Sequence, residues 1–558
     1  MVSSARKTVL IVLALVLANV LSAWVYTRVD LTADGRYTLT EGTRNLLQNL
    51  PTPVQVDVFL TGQLPPGFRR LETAVQETLD EFEAVAGNTL QFRFVDPLSG
   101  TLSEQQTRLA GLAKLGLQPT NLFASQNGTR TEQLIMPGAV VRAGGRETGV
   151  LLLKGNKAAS PAEQLNQSYE GVEYQLATAI RGLTQPVGSR RRVGMVFGHT
   201  QVPPARFSDL LASIQQEYDL FFVDLTKPGP VEGLDALLVL KPDQPFSEEA
   251  VFKLDQYVVN GGRALFAVDG HRIDSVGAEG TYAQPLPLGL DDLFFTWGAR
   301  LNQTVVKDLT CGQIPLAVGT LGNKPNVQLV PWRFYPVLNA FGNSPICRNL
   351  DAVATRFLST IDTVRAKGIR KTVLLETSPY TTILKLPALI SYSEARQQPD
   401  PATYTGGTQT AAILLEGAFT SRYVNLLLPD SLAGQLKKTG KPGKVVLMAD
   451  GDLVVNDIDP ATKRPLPLGY DRYTRTQFAN KELVLNALDH LTDPAGVIMA
   501  RNREVPLRPL DAVKVAGERT WWQALNLLGP LALLAVGGLL GQVLRRRQYG
   551  KNPLARRV

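Results

Sequence analysis

Residues 235–269 read DALLVLKPDQPFSEEAVFKLDQYVVNGGRALFAVD and contain a complete strand–helix–strand unit. The run 236–240 is apolar throughout, which is typical of a strand buried in a parallel sheet. Ser247 can cap a helix, and the two glutamates after it suit the positive end of a helix dipole. Apolar residues then recur at helical spacing, and a second apolar strand ends at Asp269. This alternation predicts a doubly wound α/β domain.

The same alternation continues on both sides of this unit. Upstream, residues 192–198 form an apolar strand, Ser208 is a predicted helix cap, and a further strand follows at 220–225. Downstream, it resumes at KVVLMA (444–449), with a helix near 478–491. The stretch between mixes short strands with loops rich in Pro, Gly and Thr. We therefore predict an α/β domain in two parts with a β-rich insertion: 188–270, 271–440 and 441–492.

The N-terminal part of the chain has a different pattern. Strands at 54–60 and 90–95 alternate with helices, and two more strands, near 133–142 and 147–153, flank the turn Gly144–Gly145. This order resembles a thioredoxin-like domain, although the CxxC motif that redox chemistry requires is absent. We predict this domain at 27–155 and a helical linker at 156–187.

The basic residues in excess lie at the two ends of the chain. The chain has 58 Lys and Arg, 50 Asp and Glu, and a net charge of +8. The excess falls in the tails 1–7 and 545–558, so the body is neutral and a nucleic-acid partner is not expected. Each tail adjoins an uncharged apolar stretch long enough to span a bilayer, 8–26 and 521–544.

These stretches predict two membrane helices around an exported body. The positive-inside rule places both tails in the cytoplasm and the body outside, with a juxtamembrane arm at 493–520. A cleaved signal peptide is the alternative for the first stretch. Gly537, Gly538 and Gly541 form a small-residue patch in the second stretch, which favours close packing against another helix.

Few residues in the sequence indicate a catalytic, ligand-binding or metal site. Cys311 and Cys347 are the only cysteines, and in an exported body they can form a disulfide or remain two unrelated thiols. His199, Asp224, Asp269, Asp450 and Asp452 follow predicted strands. These are weak candidates for a ligand cleft at the carboxyl ends of the sheet, and solvated loop ends are the alternative. The aromatic run 331–335 either stacks on a ligand or packs in a core. Phosphate-binding loops, nucleophile elbows and metal-ligand spacings are absent from the sequence.

Several segments together resemble the GldG family, the gliding-motility-associated auxiliary components of ABC transporters. They are the first apolar stretch with the Asp30-Leu-Thr and Arg36-Tyr-Thr-Leu-Thr motifs after it, VQVDVFLTGQLPPGFRRL (54–71), Asp96-Pro97, the stretch 235–269 and KVVLMADGDLV (444–454). The resemblance implies a glutamine-amidotransferase-like middle domain, an ABC permease and a separate cytoplasmic ATPase as partners, and a place in the bacterial cytoplasmic membrane. The stretch 240–243 has no cysteine where an amidotransferase nucleophile would stand.

We therefore expect a non-catalytic auxiliary subunit, without a cofactor, that serves in substrate binding or assembly. Two alternatives stay open: an exported, membrane-anchored hydrolase with Asp269 and Asp450 as acid and base, and a structural scaffold of an envelope or motility machine.

Overall fold

The structure is a computed structural model that describes residues 16, 38–126, 129–153, 160–185, 190–273, 275–277, 279–321, 324–502 and 512–549. Within these residues the helices are α1 (Glu41–Gln48), α2 (Pro66–Ala86), α3 (Leu102–Lys114), α4 (Pro161–Thr184), α5 (Ser208–Glu217), α6 (Glu248–Val259), α7 (Asp291–Trp297), α8 (Asp430–Ala433), α9 (Asn480–Thr492) and α10 (Ala512–Tyr549).

The strands of the first half are β1 (Val54–Val58), β2 (Leu90–Phe94), β3 (Thr120–Gln126), β4 (Thr129–Ile135), β5 (Gly138–Ala143), β6 (Arg146–Leu151), β7 (Arg192–Val196), β8 (Asp219–Val223), β9 (Ala236–Leu240) and β10 (Arg263–Ala267). Those that follow are β11 (His271–Arg272), β12 (Thr281–Pro285), β13 (Ala299–Leu301), β14 (Thr304–Asp308), β15 (Cys311–Leu321), β16 (Lys324–Leu338), β17 (Ala340–Phe341), β18 (Val353–Ala354), β19 (Ile361–Thr363), β20 (Ile369–Glu376), β21 (Thr381–Lys385), β22 (Ala388–Ile390), β23 (Thr410–Thr420), β24 (Thr439–Met448), β25 (Tyr470–Asp471) and β26 (Thr476–Gln477). The mixed α/β class predicted from the sequence is confirmed.

The chain divides into two units, Met1–Val505 and Pro506–Val558. In the first, an N-terminal sheet has the order β2-β1-β5-β6, with β1 parallel to β2 and antiparallel to β5. The helix α2 buries Leu71, Val75, Leu79 and Phe82, whose spacing of three or four residues puts them on one face. Together with apolar residues of β1 and of α4, they form one hydrophobic core.

One predicted strand of this region is divided in two. The run 133–142 was expected to be continuous, but β4 ends at Ile135 and β5 begins at Gly138. Pro137 lies between them and has no backbone N–H to donate to a ladder. Instead, β4 pairs with β3 in a separate hairpin. The predicted turn at Gly144 and Gly145 is confirmed, and both residues have positive φ.

The main sheet has the order β17-β20-β23-β24-β10-β9-β7-β8. The five strands from β24 to β8 are parallel, and β23, β20 and β17 continue the sheet in antiparallel pairing. β9 is buried at every residue, because helices cover a parallel sheet on both faces. The predicted cap of α6 is confirmed, since the Ala250 N–H donates to Ser247 Oγ at 3.2 Å. Ser208 is the first residue of α5 rather than its cap.

The stretch 271–440 is rich in strands, as predicted, but part of it belongs to the main sheet. β17, β20 and β23 extend that sheet beyond β24. Their runs alternate or are apolar like any strand, and the sequence carries no signal for which sheet they join. The remainder forms small sheets, including the long hairpin β15–β16.

The second unit contains α10. Its segment Gly517–Arg547 is the one helix among the described residues that is long and apolar enough to cross a membrane, and no part of its apolar window is buried. This segment includes the stretch predicted at 521–544, and the helix continues through Pro530. The predicted span 8–26 and the tail 1–7 lie outside the described residues, apart from Val16.

Candidate functional site

The carboxyl ends of the parallel strands carry the polar residues singled out in the sequence. Along the sheet edge, Asp224 follows β8, His199 follows β7, Asp269 follows β10 and Asp450 follows β24. Neighbouring strands lie about 4.8 Å apart, so four strand spacings, about 19 Å, separate the ends of β8 and β24. One crevice therefore cannot hold all the predicted residues, and the structure brings together only those near β24.

We call Lys241, Asp269, Asp450 and Asp452 the acid–lysine cluster. Lys241 follows β9, and its Nζ lies 3.1 Å from Asp269 Oδ2 and 2.7 Å from Asp452 Oδ2. The Gly451 N–H donates to Asp269 Oδ1 at 2.7 Å. A Cβ at Gly451 would lie 2.7 Å from Lys241 Cγ, so only glycine fits between the strand ends. Lys241 itself has a φ of +43°, in the left-handed region that residues other than glycine rarely adopt.

Asp450 is fully buried. Its Oδ2 accepts from the Arg356 N–H and its Oδ1 from the Asp452 N–H, each at 2.7 Å. Burial, together with the charges of Asp452 and Asp269, raises the pKa of Asp450 well above its ordinary value. For Asp452 burial acts in the same direction, but the positive charges of Lys241 and Arg356 outweigh it and lower the pKa. Of the two carboxyls, Asp452 therefore carries the negative charge more readily.

A cavity of about 100 Å³ lies beside this cluster. One wall belongs to the hairpin β15–β16, and the other comes from β18 and the segment that follows β24. Asp452 is the one member of the cluster that lines it. The polar and aromatic residues of its lining are Gln313, Tyr335, Thr355, Arg356, Asp452, Asp457, Tyr470, Asp471, Tyr473, Phe478 and Asn480.

Arg356 is the basic residue among these lining residues. Its Nη1 and Nη2 donate to the two oxygens of Asp457 at 3.1 and 2.7 Å, a bidentate pair, and Arg206 reaches Asp457 at 3.3 Å. The Arg356 guanidinium also lies over the Tyr335 ring, 5.6 Å from its centroid. Burial raises the pKa of Tyr335 to about 12, so its hydroxyl remains a neutral donor.

Sequence reasoning missed His271, Lys241 and Arg356. His271 Nδ1 lies 3.0 Å from Ser359 Oγ, and burial lowers its pKa although Asp269 acts against that shift. The position of Lys241, directly after β9, is a signal that could have indicated it, whereas His271 lies four residues after β10 and begins β11. Arg356 comes from the 271–440 stretch, where the sequence has no comparable signal.

His199 and Asp224 have local partners instead. The His199 ring stacks on Phe246, with 3.9 Å between centroids, and burial lowers its pKa. Asp224 accepts from the N–H and the hydroxyl of Thr226 at 3.0 and 2.6 Å, which is the geometry of a turn that ends β8. In the aromatic run 331–335, Trp332 and Phe334 are buried in a core, as one of the two hypotheses had it, whereas Tyr335 lines the cavity.

Of the two possibilities for Cys311 and Cys347, the structure has the second, two separate thiols, because both cysteines are free. Cys347 packs in the core of the main sheet, and Cys311 is the first residue of β15, opposite Pro336. Burial raises the pKa of each thiol, to about 11 for Cys311 and about 12 for Cys347. Among the residues that the structure describes, no group of three or more His, Cys, Asp or Glu could hold a metal ion. Gly537, Gly538 and Gly541 lie in α10, and a Cβ on any of them would meet no atom within 4 Å.

Comparison with known proteins gives two family matches. The family described as "ABC-type uncharacterized transport system" has a model that matches residues 190–487, more than half of the chain. A domain of unknown function, DUF7088, matches residues 33–142. The first match includes the main sheet, the acid–lysine cluster and the cavity. No curated protein matches the chain.

Solved structures give distant likenesses. The N-terminal domain of mmIFT52 is 11% identical, and the alignment covers 54% of this chain and 97% of that one, with a TM-score of 0.29. A putative ThuA-like protein from Parabacteroides merdae is 12% identical, with 58% and 94% covered and a TM-score of 0.25. Likenesses at these TM-scores carry no fold assignment.

Proposed function

The chain belongs to the family described as an ABC-type uncharacterized transport system, and from this premise we propose that it is a non-catalytic auxiliary subunit of such a transporter. The family match across residues 190–487 is the observation that carries the proposal. Its partners are an ABC permease and a separate cytoplasmic ATPase, in the bacterial cytoplasmic membrane. Within this family, the motifs quoted above favour the GldG type.

Two further details of architecture are part of the proposal. The N-terminal sheet order β2-β1-β5-β6, with β5 antiparallel to its neighbours, supports a thioredoxin-like scaffold, and this region contains no cysteine. The parallel order β8-β7-β9-β10-β24 supports an amidotransferase-like domain assembled from 188–270 and 441–492. Lys241 directly follows β9, in the stretch where an amidotransferase would have its cysteine nucleophile.

The membrane arrangement of the proposal has two spans, 8–26 and 521–544, with the body outside and both tails in the cytoplasm. Its support is the apolar segment Gly517–Arg547 and the basic residues that flank the two stretches. Since ATP is hydrolysed in the cytoplasm, the proposal assigns energy supply to the partner ATPase.

The hydrolase alternative has less support. A general acid and base must reach the substrate, but Asp450 is fully buried and its oxygens accept from two backbone N–H groups. Asp269 is 8% exposed and accepts from Lys241 and Gly451. Neither is among the residues that line the cavity, so both carboxyls hold the strand ends together rather than face a ligand.

Copurification from the native membrane tests the proposal. We expect the tagged full chain to bring down a polytopic permease and an ATPase. Replacing Gly537 and Gly541 with Leu should weaken this association, because leucine keeps neighbouring helices apart. Gly529→Leu is the matched control, since it adds the same side chain on another face of α10 and should leave the association intact.

Three outcomes would contradict the proposal. Recovery of envelope proteins without an ATPase would favour the scaffold alternative. ATP hydrolysis by the purified chain alone would exclude a non-catalytic role. Equal loss of partners in the Gly529→Leu control would remove the glycine patch from the interface.

A further inference from the structure

The cavity beside the acid–lysine cluster combines features of a ligand site. Tyr335, Tyr470, Tyr473 and Phe478 give it aromatic surface, while Arg356 and Asp452 add a donor and an acceptor among its lining residues. Small-molecule sites usually have this composition, mostly apolar and aromatic with a few polar groups that fix orientation. The cavity lies at the carboxyl end of β24, and open α/β sheets bind ligands at this edge.

The charges around the cavity are largely matched by opposite charges. Of the three carboxylates in the lining, Asp452 pairs with Lys241, and Asp457 pairs with Arg356 and Arg206. The third, Asp471, accepts from the Tyr473 N–H at 2.9 Å and from the Thr474 hydroxyl at 2.6 Å. A fully charged ligand would have to compete with these existing ion pairs. A neutral polar ligand would not, because the side chains that form the pairs keep further hydrogen-bonding capacity.

The cavity lining keeps hydrogen-bonding capacity of both kinds, donors on Arg356 and acceptors on Asp457. A guanidinium has five N–H donors, and Arg356 uses two of its nitrogens on Asp457 while its side chain is 37% exposed. The Asp457 carboxylate keeps lone pairs and is 25% exposed. A hydroxyl group both donates and accepts, so a ligand with several hydroxyls matches this mixture.

The size and the aromatic rings narrow the ligand class further. A cavity needs about 10–15 Å³ for each water, so about 100 Å³ takes on the order of seven to ten water-sized groups, the scale of one sugar ring. Sugar rings also have apolar C–H faces that stack on aromatic side chains. Tyr473 lines the cavity and is 43% exposed. The Arg472 guanidinium lies over one face of its ring, 4.7 Å from the centroid, so a sugar would stack on the opposite face.

We propose that this cavity binds a neutral, hydroxyl-rich ligand of the size of a monosaccharide unit, with Tyr473 stacking on the ring and Arg356 and Asp457 hydrogen-bonding its hydroxyls. This goes beyond the proposed function, because ligand binding here requires neither a permease nor an ATPase.

Calorimetric titration of the full chain tests the proposal. The chain is held in an amphipol, since alkyl-maltoside detergents have a sugar headgroup that would compete. The probes are glucose, galactose, mannose and N-acetylglucosamine, with glucose 6-phosphate and choline as charged comparators. We expect at least one neutral sugar to bind with a Kd of roughly 1 mM or below, and both comparators to bind at least about tenfold more weakly.

Variants locate the binding. Tyr473→Ala and Gln313→Ala alter exposed lining residues and should weaken binding, Tyr473→Ala by about tenfold. Tyr380→Ala is the matched control, because Tyr380 is 57% exposed and does not line the cavity, and it should change the Kd by less than about twofold.

Absence of binding by every neutral sugar at about 20 mM would overturn the proposal, and so would binding of the charged comparators alone. Equal weakening by Tyr473→Ala and Tyr380→Ala would do the same. Copurification with a permease separates the two proposals: a chain that finds its permease but binds no sugar contradicts only this one, and the reverse result contradicts only the proposed function.

Discussion

Lys241 links the carboxyl ends of three strands through two ion pairs. It follows β9 and contacts a carboxylate beyond β10 and another beyond β24, and its own backbone is in the left-handed region. Burial lowers the pKa of a lysine, yet Asp269 and Asp452 together raise the pKa of Lys241, so the lysine stays charged. Removing one member of such a group leaves the others buried without a counter-charge.

We therefore expect Lys241→Met to lower the free energy of unfolding by about 3 kcal/mol. Lys367→Met, at an exposed position, is the matched control and should stay within about 0.5 kcal/mol of wild type. The pKa of Asp452 is lowered in the folded state, so its stabilising effect is present above its ordinary pKa and lost as pH falls. The difference in the free energy of unfolding between wild type and Lys241→Met, measured by denaturant titration, should therefore become smaller below about pH 4. A difference in unfolding free energy that stays constant down to about pH 2 would contradict this explanation.

Glu416 gives a second pH-dependent effect. A hydrogen bond with His490 and contacts with Arg370 and Lys444 lower the pKa of Glu416 from 4.5 to about 2, against the effect of burial. A depressed carboxyl pKa stabilises the fold above about pH 4.5, and this contribution disappears as pH falls toward 2.

Glu416→Gln should therefore remove on the order of 1 to 2 kcal/mol of stability at pH 7, after allowance for solvent screening, and almost none at pH 2. Thermal unfolding followed by circular dichroism at several pH values measures this. Glu83→Gln, on the exposed side of α2, is the control. Equal effects of Glu416→Gln at pH 7 and pH 2 would exclude the ionic explanation.

At the scale of single residues, the sequence pattern predicted the aspartates at the strand ends but not the residues that contact them. The predicted cleft contained Asp269 and Asp450 together with His199, Asp224 and Asp452, because each follows a predicted strand and parallel strand ends meet at one edge. Arg356, whose N–H donates to Asp450, and Tyr335, under the Arg356 guanidinium, come from the stretch 271–440, where the sequence pattern indicates no site. Contacts of this kind depend on tertiary packing, which local patterns do not record.

Between elements, a buried ion network joins α4 to the end of α9. Arg181 lies 2.7 Å from Asp489 and 3.4 Å from Asp493, and Tyr174 donates to Asp489 at 3.0 Å. Arg191, which precedes β7, contacts the same two carboxylates at 3.5 and 3.4 Å. The network therefore connects the helix after the N-terminal sheet to a helix that covers the main sheet.

Arg181→Met should lower the free energy of unfolding by about 3 to 5 kcal/mol, because Asp489 and Asp493 would lose a buried partner. Adding Asp489→Asn should restore part of the loss, since the double variant removes the uncompensated charge. Arg190→Met is the matched control, as Arg190 is exposed and should change stability by less than about 0.5 kcal/mol. Strict additivity of Arg181→Met and Asp489→Asn would show that the pair is not coupled.

Predictions of elements were most accurate where apolar periodicity was strong. β9, α6 and β10 all lie within residues 235–269, where the sequence predicts a strand, a helix and a strand. β24 ends inside the predicted run 444–449 but begins earlier, at Thr439. The pairing of β23 with β24, and the division of 133–142 at Pro137, were not predicted. Both depend on which strand becomes the neighbour, and strands with similar composition compete for that position.

For the whole molecule, the basic tails and neutral body predict one topology. Reporter fusions at Val2, Gly277 and Val558 should read inside, outside and inside, because Lys and Arg clusters remain on the cytoplasmic side. Val2 and Val558 serve as internal controls for the reporter at Gly277. An inside signal at Gly277 would contradict the exported body.

The position of β24 has a consequence for the time course of folding. β24 lies between β10 and β23, yet about 170 residues separate it from β10 in the chain. At roughly 5–20 residues per second, β10 therefore waits on the order of 10 to 35 s during synthesis before its neighbour is made. Throughout this interval the apolar edge of β10 has free hydrogen-bonding groups that another chain could pair with. We expect nascent chains arrested before residue 439 to be protease-sensitive and bound by chaperones, and chains arrested beyond residue 492 to acquire resistance.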